Sequence, residues 1–256
     1  MEVLSPIRQR SAMPVSAERS ARATSAWPAQ SDALRAWLIA VSLMLAGLVV
    51  IPFDSRIALF MHEHRNWEGW KIVLLSEIFS HAWGVGLIAL GIASLTPANS
   101  PKIPRLFCGS LGAGLLANLG KLIIARTRPH SFDLTLSSWE SFQGWFPWWS
   151  RMIGEHTGSF SAVQSFPSAH SATAAGLAWG LCLLYPQGKW YFVLLCLLAL
   201  MQRLVVEAHF VSDVCWGAAV GVVWANFVFS NRKLGQRFDS LEKWLAVRWK
   251  IPGKIS

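Results

Sequence analysis

The chemistry in this chain is concentrated in three short stretches. "KLIIARTRP" holds Lys121 and Arg128 seven residues apart, with Arg126 nearby. On a continuing helix that spacing brings Lys121 and Arg128 to one face, although Pro129 restricts Arg128 away from helical backbone. Like charges gathered in one place favour an anion between them. "PSAH" sets Ser168 and His170 behind Pro167. Proline suits a helix start, and the N–H groups of a first turn have no partner inside the helix. Such a terminus attracts anions, phosphate especially. Ser168 adds a hydroxyl donor, and His170 can protonate a leaving oxygen. "QRLVVEAHFVSD" supplies Arg203, His209 and Asp213. If residues 209–213 are helical, His209 and Asp213 stand on one side, four apart. The carboxylate would then fix the imidazole tautomer and support its cationic form, as a third group does for a nucleophile or base.

These parts suit phosphoryl transfer. The reaction needs positive charge on the equatorial oxygens, an in-line nucleophile and an acid for the leaving group. Cationic side chains can supply the charge, so no metal or other cofactor is expected.

The elements that must position these residues are apolar. Of 256 residues, 53% are hydrophobic and 14% charged, and mean hydropathy is +0.38. A soluble domain carries about a quarter charged residues. The fifteen tryptophans fit interfacial belts. Six apolar segments follow one another, at about 34–51, 72–95, 106–125, 170–185, 190–206 and 213–230. Most approach the ~20 residues of a spanning helix, the fourth and fifth falling a little short. Gly and Ala recur in "GSLGAGLLANLG" and "SATAAGLAWG", which suits close helix approach in lipid. The expected fold is therefore all-α, a six-transmembrane-helix integral membrane bundle over 34–230. A disordered basic tail over 1–33 precedes it and an amphipathic basic tail over 231–256 follows. The first tail has no apolar core of its own, which argues against a cleavable signal peptide.

Charge gives an orientation. With both termini cytoplasmic, the inner tails and loops hold fourteen Lys and Arg and the outer loops six, as the positive-inside rule expects. All three chemical stretches then lie at the outer face. The net charge of +9 belongs to these tails and loops rather than to a nucleic-acid surface. Cys108, Cys182, Cys196 and Cys215 have no metal-type spacing and read as small buried hydrophobes.

Further candidates surround this set. Glu77 and His81 are four apart in the second segment, as a substrate contact or as glue between helices. Trp139, Trp145, Trp148 and Trp149 crowd the long outer loop, as an interfacial belt or a lipid entrance beside the site. His62 and His64 in "MHEHR" read as a solvated stretch. "RFDSLEKWLAVRWK" places Phe238, Leu241, Leu245 and Trp249 near one helix face, as a helix lying on the inner surface does.

In order and in internal spacing, the three stretches resemble the type-2 phosphatidic acid phosphatase (PAP2) superfamily. Its signature reads KxxxxxxRP, then PSGH, then SRxxxxxHxxxD. The resemblance covers about 34–230 and implies roles residue by residue. Lys121, Arg128 and Arg203 would bind phosphate, with Ser168 and the N–H of Ala169 completing the cradle. His209 would attack phosphorus, Asp213 would orient it, and His170 would protonate the leaving oxygen and later activate water. The activity implied is metal-independent hydrolysis of a lipid phosphate or pyrophosphate at the outer face of a bacterial inner membrane, facing the periplasm. The substrate would be an anionic phospholipid, an isoprenoid or a lipid A type molecule. Transfer of the phosphoryl group to another lipid, or binding or transport of anionic lipid without catalysis, are the alternatives. Two positions depart from the signature. Ala169 replaces Gly, which matters only if the site needs positive φ, and Gln202 replaces Ser, which bears only on a supporting hydrogen bond.

Overall fold

The computed structural model describes residues 30–148, 160–230 and 233–249. The tail read over 1–33 falls almost wholly outside them, as does Trp149. Helix α1 (Gln30–Val50) passes through a 3-10 turn at Ile51–Phe53 into α2 (Asp54–Glu63). Pro52 explains the turn, because it cannot donate a helical hydrogen bond. Helix α3 (Trp70–Leu75) continues as a 3-10 turn at Ser76–Ser80, and α4 follows over Ala82–Leu95. The two arms bend by 74° at His81, whose backbone is extended. Gly84 makes the bend possible: a Cβ there would lie 1.6 Å from the Ile78 carbonyl oxygen.

Helix α5 (Ile103–Gly120) leads to a hairpin in which β1 (Ile124–Arg126) pairs antiparallel with β2 (Phe142–Trp145). The remaining helices are α6 (Ala169–Leu184), α7 (Lys189–Val205), α8 (Val211–Phe229) and α9 (Lys233–Arg248). The all-helical expectation thus needs one correction. The third segment ends at Gly120, not near 125, because its last bonds tighten to i−3 (Leu122 to Leu119, Ile123 to Gly120) before the chain turns into a strand.

Among the described residues three helical runs are long and apolar enough to cross a membrane: Ala33–Glu63, Pro186–Val205 and Val211–Phe229. The bent pair Trp70–Ser80 and Ala82–Leu95 makes a fourth if counted as one span. Six were expected. Helix α6 has only 16 residues, and α5 is diluted by Arg105, Asn118 and its glycines.

Helix α6 is the centre, packed against α5, α7 and α8, while α1 lies against α8. Lipid tails are as apolar as leucine, so close packing rather than water exclusion must join such helices. Ala172, Ala174 and Leu177 are accordingly fully buried. At Gly217 of α8 a Cβ would stand 2.3 Å from the Ser168 carbonyl oxygen, so only glycine allows this crossing. Leu38, Val49, Leu90, Leu194 and Leu197 point outward from α1, α4 and α7, as a lipid-facing surface requires. Helices α5 and α7 end where α6 and α8 begin, and this end of the bundle gathers the polar residues. At the opposite end α9 docks through Arg105, which pairs with Asp239 at 2.5 Å and Glu242 at 2.7 Å.

Candidate active site

His209 lies in the turn between α7 and α8 and is buried. The helix starts only at Val211, so the helical spacing expected for residues 209–213 does not apply. His209 Nδ1 stands 3.9 Å from Asp213 Oδ2, beyond a hydrogen bond. Ser165 lies between them. Its hydroxyl donates to Asp213 Oδ2 at 2.6 Å and is 3.5 Å from His209 Nδ1, while its carbonyl takes a hydrogen bond from the imidazole. Asp213 is otherwise occupied: Oδ2 accepts from the Phe210 N–H at 2.9 Å, capping α8, and Oδ1 accepts from Arg126 at 2.5 Å.

Arg126, which the sequence only sets near Lys121 and Arg128, has a separate place. It is fully buried. Its Nη1 reaches Asp213 and, at 2.6 Å, Ser212 Oγ; its Nη2 reaches Asp54 Oδ2 at 2.7 Å; its Nε donates to Ser141 Oγ at 3.0 Å. The rings of Phe142 and Phe210 lie 4.4 and 4.3 Å from the guanidinium carbon. Asp54 also accepts from the Ser212 amide and hydroxyl. The first turn of α2, strand β1 and the start of α8 are thereby fastened at one buried point.

Lys121 and Arg203 are buried and Arg128 is partly so, and the charges of all three act on His209. Burial, and then these cations, hold the imidazole well below its ordinary pKa, so it is neutral with a free lone pair near neutral pH. Burial also lowers Arg128, with Asp213 opposing that shift. Arg128 Nε is buried with no hydrogen-bond partner among the described residues. Such a donor is costly unless met, and an anion would meet it.

Helix α6 begins beside Asp213, whose backbone carbonyl accepts from the Ser168 amide at 3.1 Å. Ser168 is its N-cap, accepting from the Ser171 amide at 3.4 Å and the Ser171 hydroxyl at 2.9 Å. Ala169 is the first helical residue and is not among those with positive φ, so alanine fits without strain. His170 follows at the half-buried edge.

Gln202, the second departure from the signature, has a task of its own. Its Oε1 accepts from Arg203 Nε at 2.5 Å and its Nε2 donates to Glu77 Oε2 at 3.3 Å. Arg203 Nη2 reaches Glu77 Oε1 at 3.1 Å, so the three form one clamp. Glu77, His81 and His170 bring their ligand-type atoms within 4.8 Å of one another, a group that could hold a metal ion. Trp139 is exposed in the turn at Ser138–Ser141, its ring 6.2 Å from that of Phe142. His62 pairs with Glu207 at 2.9 Å, and His64 bonds the Phe60 carbonyl.

Sequence reasoning missed Asp54, Ser165 and Ser212 altogether. Ser165 stands two residues before Pro167 of "PSAH" and Ser212 adjoins Asp213, so proximity was a usable signal. For Asp54 there was a weaker one, an acidic residue at the end of a long apolar run.

A family model described as the PAP2 superfamily matches residues 105–235. Two curated proteins called lipid A 1-phosphatase are similar to the chain over 117 residues. The one from Rhizobium johnstonii is 36% identical, covering 45% of this chain and 42% of its own length. The one from Rhizobium etli is 35% identical, covering 45% and 44%. The chain therefore spans less than half the length of these relatives. No solved structure matches the chain.

Proposed function

The chain belongs to the PAP2 superfamily, and from that premise we propose that it is a membrane lipid phosphatase working through a phosphohistidine at His209. The observation that carries this is the buried, neutral imidazole of His209 within the field of Lys121, Arg128 and Arg203. A proton on Nδ1, donated toward Ser165, leaves the lone pair on Nε2. That nitrogen attacks phosphorus as the bond to the lipid oxygen breaks, and His170, which takes up a proton when the bound anion offsets the surrounding cations, passes that proton to the departing oxygen. In the second step water attacks the phosphohistidine, His170 takes the water proton, and phosphate leaves with the nucleophile restored. The three cations, the Ala169 amide and the Ser168 hydroxyl stabilise the charge on the equatorial oxygens. Asp213 acts on His209 through Ser165 and through its own charge.

The name shared by the two rhizobial relatives supports lipid A, dephosphorylated at its 1-position, as the first substrate to try. The excess of inner basic residues supports a site on the outer face with both termini inside. The test is a panel of lipid A, undecaprenyl pyrophosphate, phosphatidylglycerol phosphate and phosphatidate, assayed in detergent with purified protein. Free phosphate from lipid A is the expected product, and its transfer onto a second lipid would convert the reading to a phosphotransferase. His209→Ala should reduce turnover to background; turnover unchanged by that substitution would refute the mechanism.

A further inference from the structure

At the edge of the phosphate pocket three side chains of metal-ligand type converge. Glu77 comes from the 3-10 turn at Ser76–Ser80, His81 from the extended residue before α4, and His170 from the first turn of α6. Their ligand atoms all lie within 4.8 Å of one another, and the His81 and His170 rings are 5.6 Å apart between centroids. The fold gives each a reason to be there. The 74° bend, permitted by Gly84, puts His81 at the joint between the two arms. Gln202 and Arg203 hold the Glu77 carboxylate, one on each oxygen, and each oxygen keeps a further lone pair.

We propose that Glu77, His81 and His170 form a binding site for a zinc-type transition-metal ion, and that an ion bound there blocks the pocket. Two imidazole nitrogens and one carboxylate oxygen are a zinc-type donor set with a fourth position open to water. Hard cations such as magnesium and calcium prefer oxygen alone. Ligand bonds of about 2.0–2.2 Å put the donor atoms of a tetrahedral ion roughly 3.4 Å apart. The group closes from 4.8 Å by side-chain rotation, for which the exposed His81 and the Glu77 side chain, 46% exposed, have room. Glu77 offsets the charge of Arg203, while Lys121 and Arg128 weaken the site without abolishing it. Blockade rests on the proposed function: an imidazole nitrogen bound to metal cannot carry a proton to the leaving oxygen.

The experiment titrates the purified full-length protein, metal-free in detergent, with Co²⁺ and then competes with Zn²⁺. Expected are visible d–d bands of a four-coordinate ion, saturating at one equivalent and bleached by Zn²⁺. His81→Ala and Glu77→Gln should each weaken Co²⁺ binding at least tenfold, and His64→Ala, on the exposed end of α2, should leave it unchanged. His81→Gln serves as a second variant if His81→Ala fails to fold. Absence of the bands, or bands undiminished in both His81 and Glu77 variants, overturns the site. This readout needs no turnover, so it stands apart from the phosphatase reading. In a protein that does hydrolyse lipid, Zn²⁺ should inhibit, EDTA should reverse it, and His81→Ala should raise the half-inhibiting concentration at least tenfold. Equal inhibition of the variant overturns the blockade.

Discussion

Among the described residues two arginines are fully buried, one at each end of the bundle, and each sits between two carboxylates. Arg105 holds Asp239 and Glu242, both on α9, whose side chains are 34% and 13% exposed. Arg126 holds Asp54 and Asp213, from α2 and α8, neither exposed at all. The chemistry is the same and the consequence is not. The partners of Arg105 share one helix and reach toward solvent, so the pairing fastens a tail. The partners of Arg126 come from two elements, and one is the aspartate behind His209. A buried ion pair contributes little net stability by itself, but removing one member leaves an uncompensated charge. What that loss does depends on what else the stranded partner holds.

Within this comparison the largest effect should follow from Arg126→Met. Both Asp54 and Asp213 would be left buried without their cation, at a cost of about 3–5 kcal/mol. Asp213 would shift, Ser165 with it, and a nucleophile misplaced by about 1 Å loses on the order of a hundredfold in rate. The expected result is a fall in kcat of that size with a lowered thermal midpoint, read by steady-state assay and detergent-phase melting. A variant that melts early yet turns over normally would make Arg126 merely structural, like Arg105.

Asp54→Asn sharpens the same contrast, because it removes charge while nearly keeping shape. Here the pH dependence is the measurement. In the proposed mechanism protonation of His209 destroys the attacking lone pair, so activity should fall as pH drops through its pKa. That pKa lies well below the usual histidine range, so the acid limb of kcat/KM should lie below pH ~6.5. Replacing Asp54 takes one negative charge from the neighbourhood, disfavours the imidazolium further, and should move the limb to still lower pH. The transition state also loses support, by roughly tenfold in kcat, or about 1.4 kcal/mol. An acid limb at or above 6.5 in the parent would contradict the neutral-nucleophile reading.

Both predictions concern residues that the sequence does not single out, and the reason is physical. Lys121, Arg128, Arg203, His209 and Asp213 could be picked out by residue type and by the order of the three stretches, although the helical spacings assumed for them do not hold. Arg126 looks like its two cationic neighbours in the sequence. Only tertiary position decides that it faces Asp54, 72 residues away. The expected helical face for Lys121 and Arg128 rested on a helix that stops at Gly120; the hairpin that replaces it has its partner strand in a loop with little periodicity. Gln202 was legible only as a departure, because its role is defined by Glu77, 125 residues distant. Helix existence was readable from composition, whereas the 74° bend at His81 depends on a contact between Gly84 and Ile78 that no apolar pattern records.

At the other end, Arg105→Met should leave kcat within about twofold. Asp239 and Glu242 can rehydrate, so the cost is that of lost hydrogen bonds, about 1–3 kcal/mol, and it falls on the docking of α9. Hydrogen exchange should show faster exchange across Lys233–Arg248 and no change at the start of α8. Faster exchange near His209, or a tenfold loss of rate, would mean that the two ends are coupled and the contrast between the arginines is wrong.

The smallest effect belongs to Ala169→Gly, which restores the residue of the family signature. The proposed cradle would use the backbone amide at this position, and glycine and alanine supply the same N–H. Ala169 is the first residue of α6 with ordinary backbone, so glycine relieves no strain. Its methyl group is packed against α5 in a cluster with Ala113, Ala117 and Ala172. Removing it loses one methyl of close packing and adds backbone freedom, together less than about 1 kcal/mol so near a helix start. Turnover should therefore stay within about twofold while the melting midpoint drops slightly. A clear gain in kcat would show that the alanine does restrain the loop before α6, and that the amide cradle, unlike the Arg126 node, is not yet in its best position.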